Sequence, residues 1–256
     1  MSQHQGKAIF ITGASTGIGR ATALRLATEG ASLFLTDIVK DELENTTEKC
    51  RSLGSEATSL ECDVGNEAQV STAISSMVKQ FTKIDAVINV AGIQLWSHSH
   101  EHSLADFEKT LSVNLVGTFM VCKEAIPHLL KSFGSIVNVS STTALAGIPY
   151  SVAYAASKAG VLALTKSLAV EYGGKGLQVN CVNPGGIKTE MSKMPDIEEP
   201  DLKLLLRQSP LGKFSEPESV AGLISYLLTE EAQHINGESI RIDGGALALP
   251  SSPQIG

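Results

Sequence analysis

Seven short runs rich in apolar and β-branched residues recur along this chain, each separated from the next by a segment of helical periodicity. That alternation narrows the possible folds more than any other feature. The runs are Lys7–Thr12, Ser32–Asp37, Ala57–Cys62, Asp85–Val90, Ser135–Ser140, Gln178–Val182 and Ser239–Asp243. Runs of this kind, set between helices, are how strands read when both faces of a parallel sheet are covered. Helical patterns fall near Gly19–Glu29, Asp41–Leu53, Glu67–Phe81, Leu104–Leu130, Val152–Tyr172 and Glu216–Thr229. The order implies an α/β fold: a doubly wound, seven-stranded parallel sheet flanked by helices. No internal repeat or linker interrupts it, and 256 residues suit one domain with a large core, so a single domain over 1–256 is expected.

Charge and cysteine usage narrow the partners. A formal net charge of −7 gives no default attraction to nucleic acid or to an anionic membrane. No stretch approaches the roughly 18 uninterrupted apolar residues of a membrane helix. Met1–Lys7 is short and polar and lacks the apolar core of a signal peptide, so a cytoplasmic location is expected. Cys50, Cys62, Cys122 and Cys181 are scattered with no CxxC pair, which reads as reduced core thiols.

The first strand runs into Gly13-Ala14-Ser15-Thr16-Gly17-Ile18-Gly19 and then a helix. Glycines let a backbone turn sharply and approach a pyrophosphate without Cβ clashes, and the helix start offers free N–H groups and a positive dipole end. The second strand ends at Asp37, 18 residues past Gly19, where a carboxylate accepts from adenosine ribose hydroxyls and repels a 2′-phosphate. Neither Thr16 nor Ile38 supplies a compensating cation. A plain strand-end turn is the other role open to Asp37. Further on, Tyr154 and Lys158 stand four apart in a helical stretch and so share one face. A free phenol titrates near 10; a nearby ammonium is expected to pull that value down toward useful proton transfer.

Taken together these residues resemble the compact branch of the short-chain dehydrogenase/reductase family, over almost the whole chain from Lys7 to about Gly245. The family's Thr-Gly-x-x-x-Gly-x-Gly pattern stands at Thr12 to Gly19, and its Tyr-x-x-x-Lys at Tyr154 and Lys158. The resemblance implies a Rossmann-like fold, NAD as cofactor and hydride transfer between nicotinamide and an alcohol or carbonyl carbon. It assigns Asp63 and Val64 to the adenine and Asn89, Ala91 and Gly92 to the cofactor strand end, with Val90 replacing the second Asn of Asn-Asn-Ala-Gly. Pro184, Gly185, Ile187 and Thr189 match the segment that grips the nicotinamide carboxamide. Ser141, 13 residues before Tyr154, takes the place of the hydroxyl that polarises the substrate oxygen, while strand alternation points its neighbour Ser140 the other way. Asn114 matches the helix-interior Asn that supports a water leading to Lys158. The implied catalytic set is therefore Asn114, Ser141, Tyr154 and Lys158. A homotetramer, with the helices around Leu111–Leu130 and Val152–Tyr172 packing between subunits, is implied in the same way.

The substrate end is less sharply written. Gln94, Trp96 and Met191 are expected to contact a small-molecule substrate beside Ser141 and Tyr154, with Leu95, Tyr150 and Met194 in the same apolar lining. Trp96 fits a core position equally well. A hydrophobic secondary alcohol or ketone suits that lining, with a 3-oxoacyl thioester, or a catalytically silent nucleotide-binding role, as alternatives. His98, His100 and His102 lack metal-site spacing and read as a solvated loop, so no metal is expected. Lys188–Gln208 follows a strand and then Pro184-Gly185-Gly186, whose two glycines offer a hinge, so a substrate lid is expected there, against the alternative of a fixed connection. The tail from Ala246 to Gly256 is expected to be disordered.

Overall fold

The computed structural model describes residues 3–189, 191 and 209–248. Seven strands, β1 (Ala8–Thr12), β2 (Ser32–Asp37), β3 (Ala57–Glu61), β4 (Ala86–Asn89), β5 (Ser135–Val139), β6 (Gln178–Pro184) and β7 (Ser239–Ile242), form one sheet. Their order is β3-β2-β1-β4-β5-β6-β7 and every pair is parallel. The helices are α1 (Gly17–Thr28), α2 (Lys40–Ser52), α3 (Glu67–Phe81), α4 (Leu104–Leu111), α5 (Gly117–Ser132), α6 (Val152–Gly173) and α7 (Pro217–Leu227). This is the doubly wound, Rossmann-like single domain that the alternation implies.

Strand alternation sends successive side chains to opposite faces, so the sheet feeds two cores. On one side Phe10, Phe34, Val87 and Ile136 pack with Met77 of α3, Leu129 of α5 and Leu168 of α6. On the other, Ile9, Ile11, Leu33 and Val137 pack with Leu26 of α1, Leu43 of α2 and Ile224 of α7. Local signals set the helix ends. Asn66 caps α3 by accepting from the Gln69 N–H at 3.2 Å, and Ser103 caps α4 by accepting from that of Asp106 at 3.0 Å. Pro217 opens α7, where its missing N–H costs nothing.

One expected element is divided. The helix read across Leu104–Leu130 is α4, then a π-helical turn at Ser112–Val116, then α5. Such wide turns occur mostly as single interruptions, often at functional sites, and this one carries Asn114. Strand ends otherwise agree within a residue, except that β6 runs two residues further, to Pro184. Of the segment 188–208 only Lys188, Thr189 and Met191 are described; the rest of the expected lid, Met194 included, lies outside the described residues. So does the tail beyond residue 248. Among the described residues no helix is long and apolar enough to cross a membrane. All four cysteines are free and buried.

The polar N-terminal lead conceals a buried histidine. His4 is 0% exposed, with its N–H donating to the Glu29 carbonyl at 2.8 Å and its Nε2 3.1 Å from Ser225 Oγ. The Ser225 hydroxyl in turn donates to Glu29 Oε2 at 2.6 Å, so the chain start, the end of α1 and α7 share one clasp. Lys7 adds a bond to the Leu228 carbonyl, and Arg25 pairs with Glu29. Burial first, then the Lys7 charge, hold His4 below its ordinary value, against the pull of Glu29. The folded chain therefore favours neutral His4. The clasp contributes in full above the unfolded value of about 6.5 and weakens as pH falls below it. Acidification from pH 7.5 to 5.5 should lower the melting temperature of the parent more than that of His4→Gln. Equal drops in a calorimetric scan would remove His4 from the account.

Candidate active site

A cleft of about 1100 Å³ opens beyond the carboxyl ends of β1, β4, β5 and β6, where the strand order reverses and open α/β sheets bind ligands. The glycine-rich turn forms one wall and tolerates no side chain at two points. A Cβ on Gly13, which sits at φ +67°, would lie 2.7 Å from the Ala91 nitrogen, and one on Gly19 would lie 1.9 Å from the Gly13 carbonyl oxygen. Thr12 Oγ1 accepts from the N–H groups of both Val90 and Ala91 at 3.1 Å, which locks the exit of β4 to that of β1. The first turn of α1 has no acidic residue and no side-chain cap from Thr16, so its positive end is left for a ligand in the cleft. Ser15, Thr16, Gly17 and Ile18 all line it.

Asp37 faces the cleft and is also a turn residue. Its Oδ2 accepts from the Ser15 N–H and its Oδ1 from the Val39 N–H, both at 3.0 Å. Arg20, the cation in the first turn of α1, is engaged by Glu42 and by Thr46 Oγ1. Asp63 and Val64 line the cleft after β3, with Asp63 Oδ1 accepting from the Gly65 N–H at 2.8 Å. Lys109 lines this region too, a cation that the sequence reading did not single out. Asn89 departs from expectation. As the last residue of β4 it stands opposite Asn138, and its amide donates to Asn138 Oδ1 at 2.9 Å and to Cys122 Sγ at 3.4 Å. The side chain is thus turned into the sheet, and Val90, Ala91 and Gly92 line the cleft in its place. Pro184, Gly185, Ile187 and Thr189 form the facing lip, where a Cβ on Gly17 would stand 3.0 Å from Thr189 Cγ2.

The other four expected residues converge. Tyr154 and Lys158 lie on one face of α6, both buried, with Lys158 Nζ 5.6 Å from the Tyr154 ring centre. The Ser141 hydroxyl lies close enough to the Tyr154 phenol to favour its ionised form, and its Oγ accepts from the Thr143 N–H at 3.2 Å. Lys158 Nζ donates to the Val139 carbonyl at 2.8 Å. Asn114 accepts from the Ile93 N–H at 2.8 Å and donates to the Ile93 carbonyl and to Ser157 Oγ. It thereby ties the π turn to the segment after β4 and to α6. Electrostatics depart from the sequence reading. Burial pushes the Tyr154 phenol up to about 12, with the Ser141 hydroxyl pulling the other way, and pushes Lys158 down to about 8. In the protein alone, desolvation is the dominant influence on the phenol.

Around the substrate end, Gln94, Leu95, Trp96 and Met191 line the cleft, which places Trp96 at the mouth rather than in the core. Gln94 is held by a bond from Nε2 to Ser151 Oγ at 3.0 Å. Tyr150 does not line it; at φ +62° it packs edge-on against His98 with ring centres 4.5 Å apart. Ile148, Leu211, Phe214 and Leu247 add apolar lining that the sequence reading missed, since three of them come from segments far along the chain. Among the described residues no group of three or more His, Cys, Asp or Glu side chains is placed to hold a metal.

A family profile described as enoyl-(acyl carrier protein) reductase matches residues 13–246. The 3-oxoacyl-[acyl-carrier-protein] reductase of Thermotoga maritima is 37% identical over 243 residues, covering 94% of this chain and 98% of that protein. The crystal structure of a levodione reductase superposes with a TM-score of 0.90 at 32% identity, covering 96% of this chain and 100% of that one. That of carveol dehydrogenase from Mycobacterium avium in complex with NAD gives 0.91 at 26% identity, covering 97% and 100%. The chain belongs to the short-chain dehydrogenase/reductase family and is an oxidoreductase using a nicotinamide cofactor. The cleft fits such a dinucleotide on its own geometry: glycines where any Cβ would collide, an uncapped helix start, and a carboxylate at the end of β2. Gly19→Ala forces its methyl group onto the Gly13 carbonyl and so must open the turn. It should weaken NADH binding by at least roughly tenfold in a fluorescence titration. Unaltered affinity would mean that the turn does not bear on the cofactor.

Proposed function

We propose that the protein is an NAD(H)-dependent oxidoreductase that interconverts a hydrophobic secondary alcohol and its ketone, with Tyr154 as the proton donor and acceptor. The observation that carries this reading is the convergence of Ser141, Tyr154 and Lys158 on one wall of the cleft, beyond the glycine-rich turn. A bound nicotinamide supplies the hydride acceptor for oxidation and the hydride donor for reduction. The turn Gly13–Gly19 holds the pyrophosphate, Asp37 the adenosine ribose, Asp63 and Val64 the adenine, and Lys158 with Pro184–Thr189 the nicotinamide half. Ser141 donates to the substrate oxygen and stabilises the charge that develops there. Tyr154 gives that oxygen its proton in reduction and removes it in oxidation. A phenol near 12 is fully protonated at neutral pH, which suits donation. Asn114 positions α6 through Ser157.

Substrate class follows from the mouth. Leu95, Trp96, Ile148, Leu211, Phe214 and Leu247 offer an apolar wall, and Lys188 is paired with Glu216. The levodione and carveol enzymes among its structural relatives, by their names, act on compounds of this hydrophobic kind. A second reading, reduction of a 3-oxoacyl thioester, is favoured by the Thermotoga relative. A homotetramer in the cytoplasm accords with both, since exposed Val116, Phe119 and Val152 on α5, α6 and the adjoining turn offer apolar surface to another copy.

With Asp37 at the ribose and Arg20 engaged elsewhere, catalytic efficiency with NAD(H) should exceed that with NADP(H) by at least roughly tenfold. Asp37→Ala should narrow the gap. Parity of the two cofactors in the parent enzyme contradicts the assignment. A panel of cyclic secondary alcohols and their ketones, run beside a 3-oxoacyl thioester with each reduced cofactor, separates the two substrate readings by kcat/KM. Tyr154→Phe keeps the ring and removes the transferable proton, so turnover should fall by at least about a hundredfold while NADH still binds. Near-parental turnover in that variant would end the acid–base assignment.

A further inference from the structure

Three consecutive residues at the end of β5 each engage α6. Asn138 Nδ2 donates to Thr165 Oγ1 at 2.9 Å, the Val139 carbonyl accepts from Lys158 Nζ at 2.8 Å, and Ser140 Oγ donates to the Lys158 carbonyl at 2.8 Å. Ser141, the next residue, is close enough to Tyr154 to act on its phenol. On the helix side, positions 154, 158 and 165 are spaced by four and seven residues and so fall on one face. The strand thus grips a single stripe of the catalytic helix over about three turns.

Lys158 is held at both ends by adjacent strand residues, its ammonium by Val139 and its main-chain carbonyl by Ser140. That carbonyl lies inside α6, where it already accepts the helix's own N–H, and the Ser140 hydroxyl takes its second lone pair. The helix does not need this bond to form. What the bond fixes is where the helix sits along the strand. Asn138 fixes the same register further along and is itself tied back to β4, because its Oδ1 accepts from Asn89. Asn138 is 0%, Ser140 3% and Thr165 1% exposed, so none of these groups can exchange its partner for water without moving the helix.

We propose that Ser140 and Asn138 are positioning residues that index α6 along β5, so that Tyr154 and Lys158 reach the cleft in register with Ser141. The proposal rests on the catalytic reading given above and adds two residues whose side-chain bonds run to α6. Helix residues are about 1.5 Å apart along the axis, and an error of about 1 Å at a reacting group is enough to cost up to a hundredfold in rate. A purely structural bond would lower stability and leave the chemistry of the surviving enzyme alone.

The test is Ser140→Ala, measured for kcat, KM, NADH binding and the pH profile of alcohol oxidation, beside Tyr154→Phe. The titratable groups facing the Lys158 ammonium are Tyr154 on its own helix and Cys181 from β6. Ser140→Ala should lower kcat by about tenfold, leave KM for the alcohol and NADH binding near parental, and displace the pH profile. Should that variant fail to fold, Thr165→Val severs the Asn138 bond at nearly unchanged volume and carries the same expectation. A lower melting temperature with parental kcat and pH profile overturns the positioning role. If instead Tyr154→Phe retains turnover, it is the catalytic reading itself that fails, so the two failures are distinguishable.

Discussion

Because β1 pairs in parallel with β2 on one side and with β4 on the other, each connection must cross the sheet before the next strand begins. The crossovers cover both faces, with α1, α2 and α7 on one and α3, α5 and α6 on the other. Backbone polar groups are then spent on neighbouring strands, and the apolar residues of each strand are spent on two cores. What remains free is the row of carboxyl ends. The glycine turn, the acid of β2, the exit of β4, the serines of β5 and the lip after β6 all emerge along that edge. The cleft is therefore a consequence of parallel pairing, and the helix that carries Tyr154 and Lys158 arrives because it must cover the sheet.

Most of that arrangement was legible in the chain. Strands were readable because their apolar runs are bounded by helical periodicity, and the glycine turn because strand, glycines and helix follow in that order. Orientation was harder to read. Asn89 occupies the expected position, but its side chain joins Asn138 across the strand pair, and only the register with β5 reveals this. The wide turn at Ser112–Val116 contains no Pro or Gly to announce it. Bonds from Asn114 to Ile93 and Ser157, which belong to tertiary structure, accompany it. His4 reads as part of a polar lead because its partner Ser225 lies 221 residues away. The spacing of Tyr154 and Lys158 puts them on one helix face, yet their burial, which dominates their protonation in the protein alone, has no local signature.

Buried polar contacts recur wherever the catalytic helix meets its surroundings. Asn114, Asn138, Ser140, Ser157 and Thr165 are all buried, and each makes a bond that joins α6 to another element or supports one that does. An all-apolar interface of the same area would let the helix settle in several nearby positions, since hydrophobic contact is non-directional. Directional bonds cost desolvation and return a unique placement. Apolar packing supplies cohesion at the α3 and α1 faces, and hydrogen bonds fix the placement of α6.

The cysteines carry a different consequence. Cys50 and Cys122 are pushed up to about 12, and Cys62 and Cys181 to about 11, chiefly by burial. Thiolate is the reactive form, so the folded molecule offers almost none of it at neutral pH and no route to it. Alkylating reagents therefore meet these sulfurs only during excursions out of the native state. Cys50 and Cys62 belong to α2 and the end of β3, at one margin of the sheet, while Cys122 and Cys181 lie in α5 and β6 beside the catalytic helix. Labelling of Cys50 and Cys62 therefore reports opening at that margin, and labelling of Cys122 and Cys181 reports opening around α5 and β6.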